Sequence, residues 1–160
     1  MDSLPKLSPR PACPEDLDTI LAIETLSHPG PWSRTGFEKE LSTPWSRFLV
    51  LTDDETDTRI FGYIVYWIQT EGVSLLNITV DPAWRGLGLS RRLMQLMIQE
   101  TIREEIPRIL LEVRESNRTA IRLYESCGFR KTHERKEFYS NGESAWVMES
   151  RTEGIETPIQ

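Results

Sequence analysis

Arg85, Gly86, Gly88 and Ser90 stand in the stretch DPAWRGLGLSRRLM (residues 81–94), where a glycine turn opens straight into an amphipathic run. A helix N-terminus offers backbone N–H groups without carbonyl partners and a partial positive charge, and a phosphate fits there. Glycines let the main chain approach that phosphate because no Cβ stands in the way. Arg85, Arg91 and Arg92 add positive charge. Two familiar phosphate cradles are excluded. No Gly-Lys-Ser/Thr follows, so the stretch is not a P-loop. Gly86-Leu87-Gly88 lacks the third glycine of a dinucleotide fingerprint and comes late in the chain, after three strands. Taken alone, the two glycines serve equally well simply to make a strand–helix turn.

A second stretch, LLEVRESNRTAIRLYESCGF (110–129), carries the other chemistry-bearing groups. Glu112 lies inside the apolar run ILLEV, where a carboxylate is costly unless it is partnered or functional. Burial there would raise its pKa toward a value useful for a base. Asn117 suits a helix N-cap, Tyr124 follows about two turns later, and Gly128 ends the helix.

These groups need elements to hold them. Pro14, Glu15 and Asp16 start a helix, with acids at its positive end, and Leu17, Ile20, Leu21 and Ile23-Glu24 continue it at helical spacing. HPGPW (28–32) breaks it, and Ser33 caps a second short helix through about Leu41. FLVLT (48–52), RIFGYIVYWIQ (59–69) and GVSLLNITV (72–80) read as strands. A helix spans about Gly88 to Glu105. ILLEV (109–113) lacks alternation, which predicts a strand buried on both faces. A helix over Asn117–Cys127 and strands around 129–139 and 144–149 follow. The order β-α-α-β-β-β-α-β-α-β-β predicts a mixed α/β sheet.

The 160 residues suit one domain with a single core, read here as residues 1–150, and RTEGIETPIQ (151–160) reads as a loose polar tail. Hydrophobic content of 38% and charge content of 28% indicate a soluble globular chain. No apolar run approaches the roughly 18 residues of a membrane span, and no signal peptide is visible. Cys13 and Cys127 match no metal or redox spacing, and His28 and His133 are isolated, so no metal site is expected. A net charge of −6 argues against broad nucleic-acid binding and leaves room for a basic or amine-bearing partner.

Together the two stretches resemble the GCN5-related N-acetyltransferase (GNAT) family. Arg85-x-x-Gly88-x-Ser90 matches its pyrophosphate signature, Arg/Gln-x-x-Gly-x-Gly/Ala, with Ser90 in place of the last small residue. The run E-V-R-x-S-N-x-x-A-I-x-L-Y-x-S-x-G-F is far more specific. LLNITVDPAWRGLGLSRRLM and the weaker PWSRTGFEKEL extend the likeness over most of the chain, nearest to the RimI-type branch that acetylates ribosomal-protein N-termini. The resemblance implies a mixed, mostly antiparallel central sheet with two parallel strands splayed apart, flanked by about four helices.

It also implies roles. Acetyl-CoA would lie against Ile78-Thr79-Val80 and the turn Arg85, Gly86, Leu87, Gly88, Leu89, Ser90 and Arg91, with Asn117 as a further contact and coenzyme A as product. The Val80 N–H would face the acetyl carbonyl. Tyr124, a phenol protonated at neutral pH, suits a general acid, and Glu112 a general base acting directly or through water. An α-amine titrates near 7.7–8.0 and a lysine near 10.4, so an N-terminal acceptor is the easier one to deprotonate. Glu24, Trp32, Phe138 and Tyr139 would line the acceptor side. Glu24 either pairs with the acceptor amine or is solvated on its helix. EFYSNGESAWVM departs from the family's Tyr-Tyr…Gly-Glu-Asp-Ala pattern at Phe138 and Ser144. The expected enzyme is a monomeric, cytoplasmic acetyltransferase of protein N-termini, acting on a ribosomal protein with N-terminal Ala. The alternatives are an acetyltransferase of lysines or small amines, a non-catalytic acyl-CoA-binding module and, least supported, a dinucleotide enzyme.

Overall fold

The first strand is the one the hydrophobic pattern does not mark. β1 (Leu7–Pro11) contains Pro9 and Pro11 and pairs antiparallel with β2 (Ser46–Asp53), Pro9 opposite Leu51. Proline cannot donate to a ladder, so such a strand belongs at a sheet edge, where β1 lies. The computed structural model describes residues 4–57 and 59–152; the expected tail falls mostly outside them.

Between β1 and β2 come α1 (Leu17–Ser27) and α2 (Arg34–Leu41). The expected helix start at Pro14 is a 3₁₀ turn, Pro14–Asp16, leading into α1. Ser33 caps α2, its Oγ accepting from the Gly36 N–H at 3.1 Å. Then follow β3 (Ile60–Gln69), β4 (Gly72–Val80), α3 (Leu89–Arg103), β5 (Arg108–Arg114), α4 (Arg118–Ser126), β6 (Arg130–Arg135) and β7 (Ala145–Arg151). The seven strands are ordered β1-β2-β3-β4-β5-β7-β6. β4 and β5 run parallel, with Val73 opposite Ile109 and Ser74 opposite Leu110 as their ladder.

The chain clusters into two compact units, residues 1–66 with 77–93 and residues 67–76 with 94–160. The first has a core of Leu17, Ile20, Phe37, Val50, Phe61, Tyr63 and Ile64, all 1% exposed or less. Gly62 is obligatory there: a Cβ would sit 2.8 Å from the Thr79 carbonyl oxygen. The second buries Met94, Met97, Ile109, Ile121, Phe129 and Met148. β5 corrects the expectation of a strand buried on both faces. It alternates, with Ile109, Leu111 and Val113 inward and Glu112 exposed on the other side. The final hairpin is also shorter than expected. β6 stops at Arg135 and Glu137 adopts a φ of 51°, so Phe138 and Tyr139 sit in a loop rather than on a strand.

Arg10 on β1 grips Asp16 through two hydrogen bonds, of 2.7 and 2.9 Å, and the Cys13 N–H donates to the same carboxylate at 2.9 Å. The Arg10 bonds hold the Asp16 pKa at about 2, against the opposing effect of burial. A folded-state pKa below the unfolded one gives stability that is complete above about pH 4 and vanishes as pH falls through about 2. Asp16→Asn is expected to cost about 2 kcal/mol at pH 7 and almost nothing at pH 2, read by urea melts at both pH values.

Candidate active site

In the first unit, the approach to the glycine turn is pinned at both ends. Asp81 donates its N–H to the Phe61 carbonyl at 2.9 Å, and its carboxylate accepts from the Ala83 N–H at 3.0 Å. The Arg59 guanidinium lies 4.8 Å from the Trp84 ring and 5.2 Å from the Phe61 ring. Beyond Trp84 the chain turns through Gly86 and Gly88 at φ values of 80° and 79°, the left-handed region that favours glycine. A Cβ on either would meet nothing within 4 Å, so the main chain of the turn faces open space. The Arg92 N–H donates to the Gly88 carbonyl, so the turn leads straight into the N-terminus of α3. Arg85, Leu87 and Arg91 are exposed, while Leu89 is buried and anchors the helix start. Arg92 is spent differently: its guanidinium donates to the Leu7 carbonyl. An open glycine cradle, helix-end amides and two exposed guanidiniums fit a pyrophosphate.

Thr79 and Val80 are buried and Ile78 half-buried. The Thr79 hydroxyl is committed within the protein, to Asn77 and His28 at 2.8 Å each. That leaves the Thr79 main chain, not its side chain, for a cofactor.

Glu24 is neither solvated nor open to an incoming amine, which corrects both sequence expectations. It is 1% exposed. Its carboxylate accepts from Tyr63 Oη at 2.6 Å, Asn77 Nδ2 at 3.0 Å and the Trp32 N–H at 3.0 Å. Burial, and then this bond to Glu24, push the Tyr63 phenol far above its ordinary value. The Trp32 ring packs 5.1 Å from Phe37, at the margin of a cluster with Phe48 and Tyr63. His28, isolated in the sequence, is tied to Thr79 in space. Among the described residues no group of His, Cys, Asp and Glu is arranged to hold a metal.

In the second unit, a cavity of about 540 Å³ has Trp67, Leu76, Leu110, Glu112, Arg135 and Val147 among its lining residues. Glu112 is about one-third exposed and lies 3.2 Å from Arg135 Nη1. The expected burial of this carboxylate is not found, because the alternation of β5 turns it outward. Tyr139 stands near it, half-buried. Burial raises its phenol, the Arg114 cation lowers it, and the Glu112 and Glu143 carboxylates raise it. Arg114 fixes the loop: its guanidinium lies 3.9 Å from the Tyr139 ring and bonds Glu143 at 3.1 Å. Glu143 also accepts from the Ser116 N–H at 2.9 Å. Phe138 is 41% exposed, edge-on to Tyr139 with ring centroids 5.0 Å apart.

Tyr124 is buried against Phe129. Burial raises its phenol well above the ordinary value, with smaller contributions from Tyr139 and Cys127, so it keeps its proton across the neutral range. Asn117 caps α4, its Oδ1 accepting from the Ala120 N–H at 3.2 Å. This unit thus gathers Glu112, Tyr139 and Phe138, and Tyr139 also acts on Tyr124. Sequence reasoning missed Arg135 and Glu143, which with Arg114 orient them, and Tyr63, Asn77 and His28 around Glu24. The signal for Asn77 was a polar residue inside the apolar strand LLNITV.

A mixed sheet with a parallel pair and a glycine cradle at the α3 N-terminus suit an acyl-CoA-dependent transferase, and residues 17–129 match the Acetyltransferase (GNAT) family. The chain belongs to that family and is an acetyl-CoA-dependent N-acetyltransferase. It is 34% identical over 136 residues to a putative ribosomal protein bS18-alanine N-acetyltransferase of Bacillus subtilis, covering 84% of this chain and 88% of that one. It is 32% identical over 124 residues to the bS18-alanine N-acetyltransferase of Salmonella typhimurium, covering 78% and 81%. The crystal structure of the ribosomal-protein-S18-alanine N-acetyltransferase from Escherichia coli superposes with a TM-score of 0.82 at 27% identity, covering 96% of this chain and 99% of that one.

Proposed function

We propose that this enzyme acetylates the N-terminal α-amine of a protein, namely a ribosomal protein of the bS18 kind with N-terminal Ala, as a monomer in the cytoplasm. The observation that carries this reading is Glu112: a carboxylate on the open face of β5, at a cavity, beside Tyr139 and Phe138. Likeness to bS18-alanine N-acetyltransferases over most of both chains supports it. When bound, acetyl-CoA supplies the acetyl group as a thioester. The glycine cradle, Arg85 and Arg91 hold its pyrophosphate, and the main chain of Ile78, Thr79 and Val80 holds its arm. Asn117 adds a contact from the α4 cap. Glu112 takes the proton of the amine, directly or through one water, as nitrogen bonds to the acetyl carbon. Tyr124 donates a hydrogen bond to the sulfur as the C–S bond breaks. Its raised pKa makes complete proton transfer to a thiolate uphill, but a hydrogen bond that strengthens as charge grows on sulfur needs no complete transfer. By the family resemblance, Trp32, Phe138 and Tyr139 are each assigned to the acceptor.

The test is release of free coenzyme A with three acceptors: an Ala-terminal peptide, the same peptide with a blocked terminus and an internal lysine, and spermine. Turnover is expected with the free terminus only, with kcat/KM levelling off near pH 8, where an α-amine is neutral. Turnover with lysine or spermine alone would overturn the acceptor. Silence with all three alongside tight acetyl-CoA binding would favour a binding module.

A further inference from the structure

We propose that Glu24 is a positioning residue for the acceptor, acting through the main chain of Trp32 without touching substrate; this rests on the assignment of Trp32 to the acceptor. The hydrogen bonds around Glu24 have one consistent direction. Asn77 Nδ2 donates to Glu24 Oε1, so Asn77 Oδ1 receives the Thr79 hydroxyl proton at 2.8 Å. His28 Nε2 lies 2.8 Å from Thr79 Oγ1 and 3.7 Å from Glu24 Oε1, so it borders the same network. The chain Thr79 to Asn77 therefore ends on the Glu24 carboxylate, where the Tyr63 hydroxyl also donates. These partners lie on α1, β3 and β4 or at their ends. The second oxygen, Oε2, takes the Trp32 N–H.

That last bond has a particular consequence. In HPGPWS (28–33), Pro29 and Pro31 have no N–H, so between His28 and Ser33 only Gly30 and Trp32 can donate from the main chain. The flanking backbone bonds run from the His28 N–H to the Glu24 carbonyl and from the Phe37 N–H to the Ser33 carbonyl. The Trp32 N–H on Glu24 fixes the middle of the segment, and packing on Phe37 then sets the direction of the ring. An apolar side chain at position 24 would fill the same volume without the cost of a buried charge. What the carboxylate adds is a hold on the Trp32 backbone amide.

Four forms of the full-length enzyme test this: wild type, Glu24→Gln, Tyr63→Phe and Trp32→Ala. A carboxamide has one acceptor atom, so Gln cannot serve both the Trp32 N–H and the Asn77 amide. Glu24→Gln is expected to raise the acceptor KM about tenfold, with kcat within about threefold and the acetyl-CoA KM unchanged. Hydrogen exchange of the Trp32 amide should quicken. Tyr63→Phe removes a donor from the same carboxylate but leaves the Trp32 bond. It should lower Tm while keeping the acceptor KM within about twofold. Trp32→Ala leaves the buried network intact and should raise the same KM, with Glu24→Gln adding nothing further in that background. Equal KM rises in Glu24→Gln and Tyr63→Phe, an unchanged KM in Trp32→Ala, or an unchanged Trp32 exchange rate in Glu24→Gln would each overturn the proposal. A wild type inactive on every free-terminus peptide would instead sink the N-terminal reading, and the exchange rate would still judge the hold of Glu24 on Trp32.

Discussion

Glu112→Gln is expected to lower kcat/KM for an Ala-terminal peptide by about a hundredfold at pH 7, and by only about tenfold at pH 9.5. Glu112 occupies an outward position of β5. Its neighbours Leu111 and Val113 are buried and hold the strand, so a substitution at the outward position leaves the packing intact. The ion pair with Arg135 is lost, and a surface pair of this kind contributes about 0.5 kcal/mol, so Tm should hardly change. The loss is therefore chemical. At pH 7 most α-amine molecules are protonated and need an acceptor for that proton; at pH 9.5 nearly all are neutral and the demand shrinks. Steady-state coenzyme A release at the two pH values measures both effects. A deficit of the same size at both would assign Glu112 to placing the peptide rather than to taking its proton.

The glycine turn was legible because its signal is local. Two glycines in three residues permit left-handed backbone, and both adopt it. The Asn117 cap and the order of strands and helices are local too, and they stand where the pattern put them. What the chain did not disclose is set by partners distant in sequence. The state of Glu24 depends on Tyr63, 39 residues on, and Asn77, 53 residues on. No property of α1 announces those donors, so a buried acceptor and a solvated helix residue look alike in sequence. Glu112 misled for a related reason. Leu110 reads as a core residue, yet it lines the cavity on the open face beside Glu112, so hydrophobicity alone hid the alternation of β5. A strand opens the predicted order, but its residues were obscured by Pro9 and Pro11, which break a strand pattern everywhere except at an edge. Phe138 and Tyr139 read as strand residues until the backbone at Glu137 turned them into a loop.

Tyr124→Phe is the variant that separates an enzyme from a binder. It is expected to reduce kcat by about a hundredfold while leaving the acetyl-CoA dissociation constant and Tm nearly unchanged. The ring stays, and with it the packing on Phe129; only the hydroxyl is lost. If that hydroxyl donates to the sulfur as the C–S bond breaks, its removal acts on the rate of chemistry and not on binding, so kcat and kcat/KM should fall together. The direction of the pKa shift adds a second readout. Burial holds the phenol protonated well above its ordinary range, so the wild-type profile should show no descending limb from Tyr124 up to about pH 10. A phenol of ordinary acidity would begin to lose its proton there, and activity would decline. Single-turnover rates across pH 7–10 in both forms decide the matter. Unchanged rates in Tyr124→Phe would remove the tyrosine from the reaction, and a descending limb that disappears with the hydroxyl would show a phenol that titrates despite its burial.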